Sequence, residues 1–143
     1  MSTIKVNTLT GTTSVGSILV TGEGGVETTN LQQGLAKAWV NFDGTVVDGT
    51  ADLTGVRDSF NISAIVDNTT GDYRIDINND MNSTDYVVSG SGYDHTVTAD
   101  SYTVHMYHDL AAGSVEVNNI RPTNNASADT SYVGTTIHGD LAE

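Results

Sequence analysis

Polar and apolar residues alternate along most of this chain, and the period is that of a strand. Six segments carry the pattern clearly: 36–42 (AKAWVNF), 59–66 (SFNISAIV), 73–78 (YRIDIN), 85–91 (DYVVSGS), 102–108 (YTVHMYH) and 114–120 (SVEVNNI). Shorter or less regular runs at 4–9, 95–99 and 131–139 add three more expected strands. A period of two places alternate side chains on opposite sheet faces, so each run offers one face to a core. Residues 59–77 predict a hairpin. Phe60, Ile62 and Ala64 share one face, DNTTGD (67–72) supplies turn residues, and Tyr73, Ile75 and Ile77 alternate again on return. Only Leu31 to Ala38 has room for a helical turn.

Composition agrees with the pattern. Threonine (21) and valine (16) are the commonest residues, and both are stiff, β-branched side chains that suit a pleated sheet. Short strands separated by glycine-rich turns predict an all-β fold, an antiparallel β-sandwich of broadly jelly-roll-like type. Residues 1–33 differ from the rest. Their apolar residues, among them Ile4, Val6, Leu9, Ile18 and Val20, are too sparse to close a core, yet they keep a β pattern that a plain linker would lack. The expected organisation is therefore an extended N-terminal arm, 1–33, for anchoring or trimerisation, and a sandwich domain over 34–143. Trp39 lies in the domain's opening strand. There Ala36, Ala38, Val40 and Phe42 point one way, and Leu35, Lys37, Trp39 and Asn41 the other, so Trp39 and Phe42 read as core or subunit anchors.

Charge narrows the partners. Five basic against eighteen acidic residues leave a formal charge of −13, which disfavours nucleic acid and anionic lipid alike. No cysteine is present, and the start lacks the basic and apolar regions of a secretion signal. No apolar run is long enough for a membrane helix.

Candidate chemistry is thin. Histidines 105 and 108 are three apart, which on a strand sends them to opposite faces, so no metal site is expected of them. Asp76, Asn78 and Asp80 imitate the start of a calcium loop, but Met81 stands where glycine is needed and Val87 where a bidentate glutamate is expected. No nucleophile elbow, zinc-protease helix motif or phosphate loop occurs, so neither enzymatic activity nor a cofactor is expected. Four N-x-S/T sequons, at Asn61, Asn68, Asn82 and Asn125, are about what twelve asparagines among 33 Ser and Thr residues give by chance. Tyr93, Tyr102, His105 and Tyr107 fall on adjacent expected strands and are the candidate glycan contacts, since sugars are held by stacking and fixed hydrogen bonds. A core role competes with that reading.

STIKVNT at the start, GLAKAWVNFDGT (34–45), VRDSFNISAIVDNTTGDYRIDI (56–77), STDYVV (83–88) and the closing SYVGTTIHGD (131–140) together resemble the tail-fibre-like virion proteins of marine bacteriophages, especially those infecting cyanobacteria. The resemblance implies a non-enzymatic structural protein of the particle, a homotrimer assembled in the host cytoplasm. Its arm would dock on itself and on other virion proteins, and its domain would face outward with host glycan as a candidate partner. Two features depart from the family pattern: the arm is short for a long fibre, and 45–55 is a longer link than expected. A capsid decoration or head-fibre protein is the first alternative, and a carbohydrate-binding module the second.

Overall fold

In a computed structural model of the chain, residues 4–11, 18–21, 25, 28–94 and 102–142 are described. The chain divides into two compact units, Met1–Leu35 and Ala36–Glu143. In the first, strand β1 (Leu19–Thr21) pairs antiparallel with β2 (Thr28–Asn30). A single helical turn, α1 (Leu31–Gly34), follows directly. Asn30 caps it, its Oδ1 accepting from Gln33 N at 3.2 Å, as a short polar side chain does for the unpaired amides of a first turn. The strand expected at 4–9 does not form. Residues 4–6 and 8–10 carry no regular structure, and Ile4 and Val6 are 86% and 60% exposed, so among the described residues no strand pairs with them.

The second unit holds eight strands: β3 (Ala38–Phe42), β4 (Val56–Phe60), β5 (Ile62–Thr69), β6 (Asp72–Ile77), β7 (Val87–Tyr93), β8 (Tyr102–Ala111), β9 (Ser114–Ile120) and β10 (Tyr132–His138). They form one antiparallel sheet in the order β4-β3-β10-β7-β8-β9-β6-β5. The meander β7-β8-β9, with β10 returning beside β7, is a Greek key. The expected strand at 95–99 lies outside the described residues.

β4 and β5 stand at opposite edges of this sheet, yet one residue, Asn61, separates them in sequence. The sheet must therefore curl until its edges meet at that corner, which turns a single sheet into two facing halves. Phe42 on β3 and Tyr73 on β6, from opposite halves, meet edge to face with ring centroids 5.1 Å apart. Around them Val40, Ile65, Ile75, Val115, Val117, Val133 and Ile137, all buried, complete the core.

Asn61 is fitted for the corner. It adopts φ 58°, a left-handed conformation that asparagine tolerates better than most residues. Its amide nitrogen donates to Lys37 O (3.0 Å) and Asn79 O (3.1 Å), and its Oδ1 accepts from Asn79 N (2.7 Å). The side chain thus ties the entry to β3, the β4–β5 corner and the exit from β6. Two expectations change here. The run 59–66 is two strands rather than one, and Phe60 points outward, 53% exposed, because the corner breaks the alternation that would have carried it inside with Ile62 and Ala64.

Residues 45–55, read from sequence as a link, fold together with Asp43 and Gly44 as a strap. Asp43, Asp48 and Asp52 each accept at Oδ1 from the backbone amide two residues on, at 3.1, 2.7 and 2.6 Å, so a repeated D-x-T pattern builds three consecutive Asx turns. The strap bridges to Ile65 through Asp52 and receives Asp67 N at Asp48 O, covering the free edge of β5. Replacing Asn61 by Ala should remove three hydrogen bonds and the tolerance for positive φ together, lowering stability by roughly 2–4 kcal/mol in urea denaturation. Glycine there should cost less, because it restores the backbone freedom alone.

Candidate functional site

Three side-chain groupings carry chemistry in the second unit. The first lies on the outer face of β4-β3-β10-β7. Arg57 Nη2 donates to Asp43 Oδ2 (2.8 Å) and to Ser131 O (2.5 Å), which fixes its guanidinium 4.1 Å from the centroid of the Tyr132 ring. Tyr132 is the cross-strand partner of Tyr93, with centroids 6.3 Å apart, and Tyr102 stands opposite Tyr93 on β8. Farther along the same face Trp39 on β3 pairs in register with Phe60 on β4. Between the two aromatic groups the row across the strands is Asp58, Asn41, Gly134 and Ser91, and Thr136 and Ser89 continue the row of Trp39, so short side chains on β10 and β7 leave that part of the face shallow. Flat rings beside a fixed cation suit stacking on a sugar ring or on another protein chain.

The second grouping is interior. Buried Thr103, Asn119, Thr130 and Thr135, with the partly buried His105, gather beneath Gly90 and Gly92. Thr135 Oγ1 lies 3.2 Å from His105 Nε2, and Asn119 Nδ2 donates to Thr130 Oγ1 at 3.3 Å. A Cβ on Gly92 would collide with the Thr103 hydroxyl, so this polar layer needs a glycine in the facing strand. Burial holds the His105 imidazole neutral, its pKa pushed down to about 4, with Asn119 opposing the shift only in part.

The third is a set of carboxylates about the β5–β6 turn. Asp129 Oδ1 accepts from Gly71 N (2.6 Å) and from Tyr73 Oη (2.9 Å). Burial and the Asp129 charge push the Tyr73 hydroxyl well above the ordinary phenol range, so it stays protonated as a donor. Asp67 is raised in turn, by desolvation and then by Asp129, Asp72 and Asp48. On the outer side of the neighbouring strands, His108 on β8 lies between Asp72 and Glu116, with Nε2 3.4 Å from Asp72 Oδ2 and Nδ1 3.7 Å from Glu116 Oε2.

The residues expected from sequence therefore separate. Trp39 is half-buried on the outer face, whereas Phe42 is wholly buried beneath it. Tyr93 joins Tyr132, which sequence reading did not single out. His105, partly buried, turns toward Thr135, and Tyr107, half-exposed, pairs with Val117 rather than with the Tyr93 group. His105 and His108 do fall on opposite sides of β8, as their spacing requires. Met81, the residue that spoils the calcium-loop pattern, is a core side chain. Asn61, first of the sequons, uses its amide in the corner. Tyr132 and Arg57 were legible only as isolated residues, because the strands that bring them together are distant in sequence.

No family model, curated protein or solved structure matches the chain.

The interior histidine sets an acid limit on stability. In the unfolded chain His105 takes up a proton near pH 6.5, whereas in the fold it does so only near 4, so the fold loses stability as pH falls between those values. The contribution is on the order of 3 kcal/mol, from 1.36 kcal/mol per pKa unit. Denaturation curves at pH 7.5 and 4.5 should show His105→Gln losing less stability on acidification than the parent chain, by about that amount.

Proposed function

We propose that this chain is a structural protein of a bacteriophage particle, a tail-fibre-like appendage that works by binding rather than by catalysis. The sequence resemblance supplies the class. One structural observation carries the assembly reading: Ile4, Val6, Leu9, Leu19 and Val20, five apolar residues of the first unit, are all about half-exposed or more. Each such side chain is worth roughly 1.5–3 kcal/mol when removed from water, so several copies of the unit gain by burying them jointly. A closed homotrimer meets that need with identical contacts, and it presents three outward domains.

The outer face with Arg57, Tyr93 and Tyr132 supports glycan as the partner at the exposed end. A stacking platform with a fixed cation binds a sugar weakly, and three copies on one particle bind jointly far more tightly. The strong negative charge keeps neighbouring appendages from sticking to one another, which suits dense display. Trp39 and Phe60, at the far end of the same face, are placed to meet a neighbouring subunit.

Light scattering on the purified chain should give a mass near three times 15.0 kDa. A Val6→Asp, Val20→Asp double variant should fall to a monomer while still unfolding cooperatively, since every core residue of the large sheet lies outside the arm. A monomeric parent chain at micromolar concentration would overturn the assembly reading. Tyr132→Ala should leave the mass unchanged and abolish any signal on a glycan array; a signal that survives it would remove this face from receptor contact.

A further inference from the structure

We propose that Asp72, His108 and Glu116 form a binding site for a divalent transition-metal ion. They come from three adjacent strands, β6, β8 and β9, and all point to the outer side. Sheet register brings them together: His108 is the direct partner of Glu116, and Asp72 pairs with Asn118 one outward position along the same strand. One ligand atom from each residue lies within 4.8 Å of the others.

The spacing suits zinc. Ligand bonds of 2.0–2.2 Å in a tetrahedron put neighbouring donor atoms about 3.4 Å apart. His108 Nε2 and Asp72 Oδ2 already stand 3.4 Å apart, so an ion can sit between them with little movement. Asp109 Oδ2 is 3.2 Å from the other ring nitrogen, Nδ1, and a carboxylate there fixes the tautomer that leaves Nε2 free to ligate. Glu116 Oε2 stands 3.7 Å from Nδ1, and with ligand atoms of all three residues within 4.8 Å of one another a turn of its side chain toward Nε2 would supply the third ligand and leave a fourth position for water.

A second observation points the same way. Asp72 Oδ1 is buried and accepts no hydrogen bond among the described residues. A carboxylate oxygen removed from water without a donor is costly, and a cation held at Oδ2 of the same carboxylate offsets part of that cost. Arg74 stands opposite Glu116 and feels its charge, but its guanidinium donates to Asp76 at 2.9 and 3.2 Å. The nitrogen ligand argues for a first-row transition metal over calcium, whose sites are built of oxygen.

Calorimetric titration of the full chain with zinc chloride should show one bound equivalent. His108→Ala and Glu116→Gln should each weaken it at least tenfold, whereas His138→Ala, on a different strand, should leave it unchanged, and excess calcium should not compete. Ring resonances of His108 should shift on zinc addition, a readout that does not depend on any variant folding. Absence of zinc uptake, uptake unchanged by both variants, or loss on His138→Ala in their place would overturn the assignment.

Discussion

The left-handed corner at Asn61 is the constraint on which the large unit depends. Eight antiparallel strands in a flat sheet would leave two free edges and bury one face at most. Because β4 and β5 are joined through a single residue, the two edges of the sheet are fixed at one point, and the halves have to face each other. The core then follows, since Phe42 and Tyr73 can meet only when β3 and β6 lie across the interior from one another. The corner also explains why Asn61 makes three side-chain hydrogen bonds, for a bend that reverses the course of the sheet leaves backbone groups at Lys37 and Asn79 to be satisfied by a side chain.

Closing the sheet this way creates a second problem, which polar side chains solve. Near Gly44 and Gly71 the turns come so close to the core that a Cβ on Gly44 would strike the Tyr73 hydroxyl. The space is filled by that hydroxyl, shared between Gly44 O (3.1 Å) and Asp129 Oδ1, which links β6 to the strap and to the segment leading into β10. Asp129 is held there by a backbone amide as well. The cost appears at Asp67, whose carboxyl is pushed upward by burial and by three neighbouring aspartates. Local arrangement, more than the total of −13, decides where acidity strains this fold: the exposed Asp48, bound to the Thr50 amide and hydroxyl, moves the other way.

Strand identity was legible in the sequence because alternation is a local property. β3, β6, β8, β9 and β10 fall where the pattern put them, to within a few residues. What alternation could not show was a break in its own phase. Phe60, Ile62 and Ala64 keep perfect spacing through Asn61, and only the positive φ there and the register shift between Ile62 and Ala64 take Phe60 out of the core. The strap was obscure for another reason: D-x-T names a turn, but nothing in 43–55 names the edge that the turns would cover. The same limit applies to the sites. His105 and His108 could be assigned to opposite faces from their spacing, whereas Asp72 and Glu116 join His108 only through the strand order β8-β9-β6, which no local pattern encodes.

Strand order also distributes function over the surface. The half β4-β3-β10-β7 turns outward a shallow face of short residues between aromatic groups, with one guanidinium held against Tyr132. The half β8-β9-β6-β5 turns outward His108 and carboxylates. An aromatic, nearly flat face gains by contact with a ring or another chain, because burial of its area outweighs the little polar surface it must desolvate. An acidic face has the opposite balance, since covering it with protein strands its charges unless a cation comes too. The two halves are thus suited to different partners, the first to macromolecular contact and the second to ions.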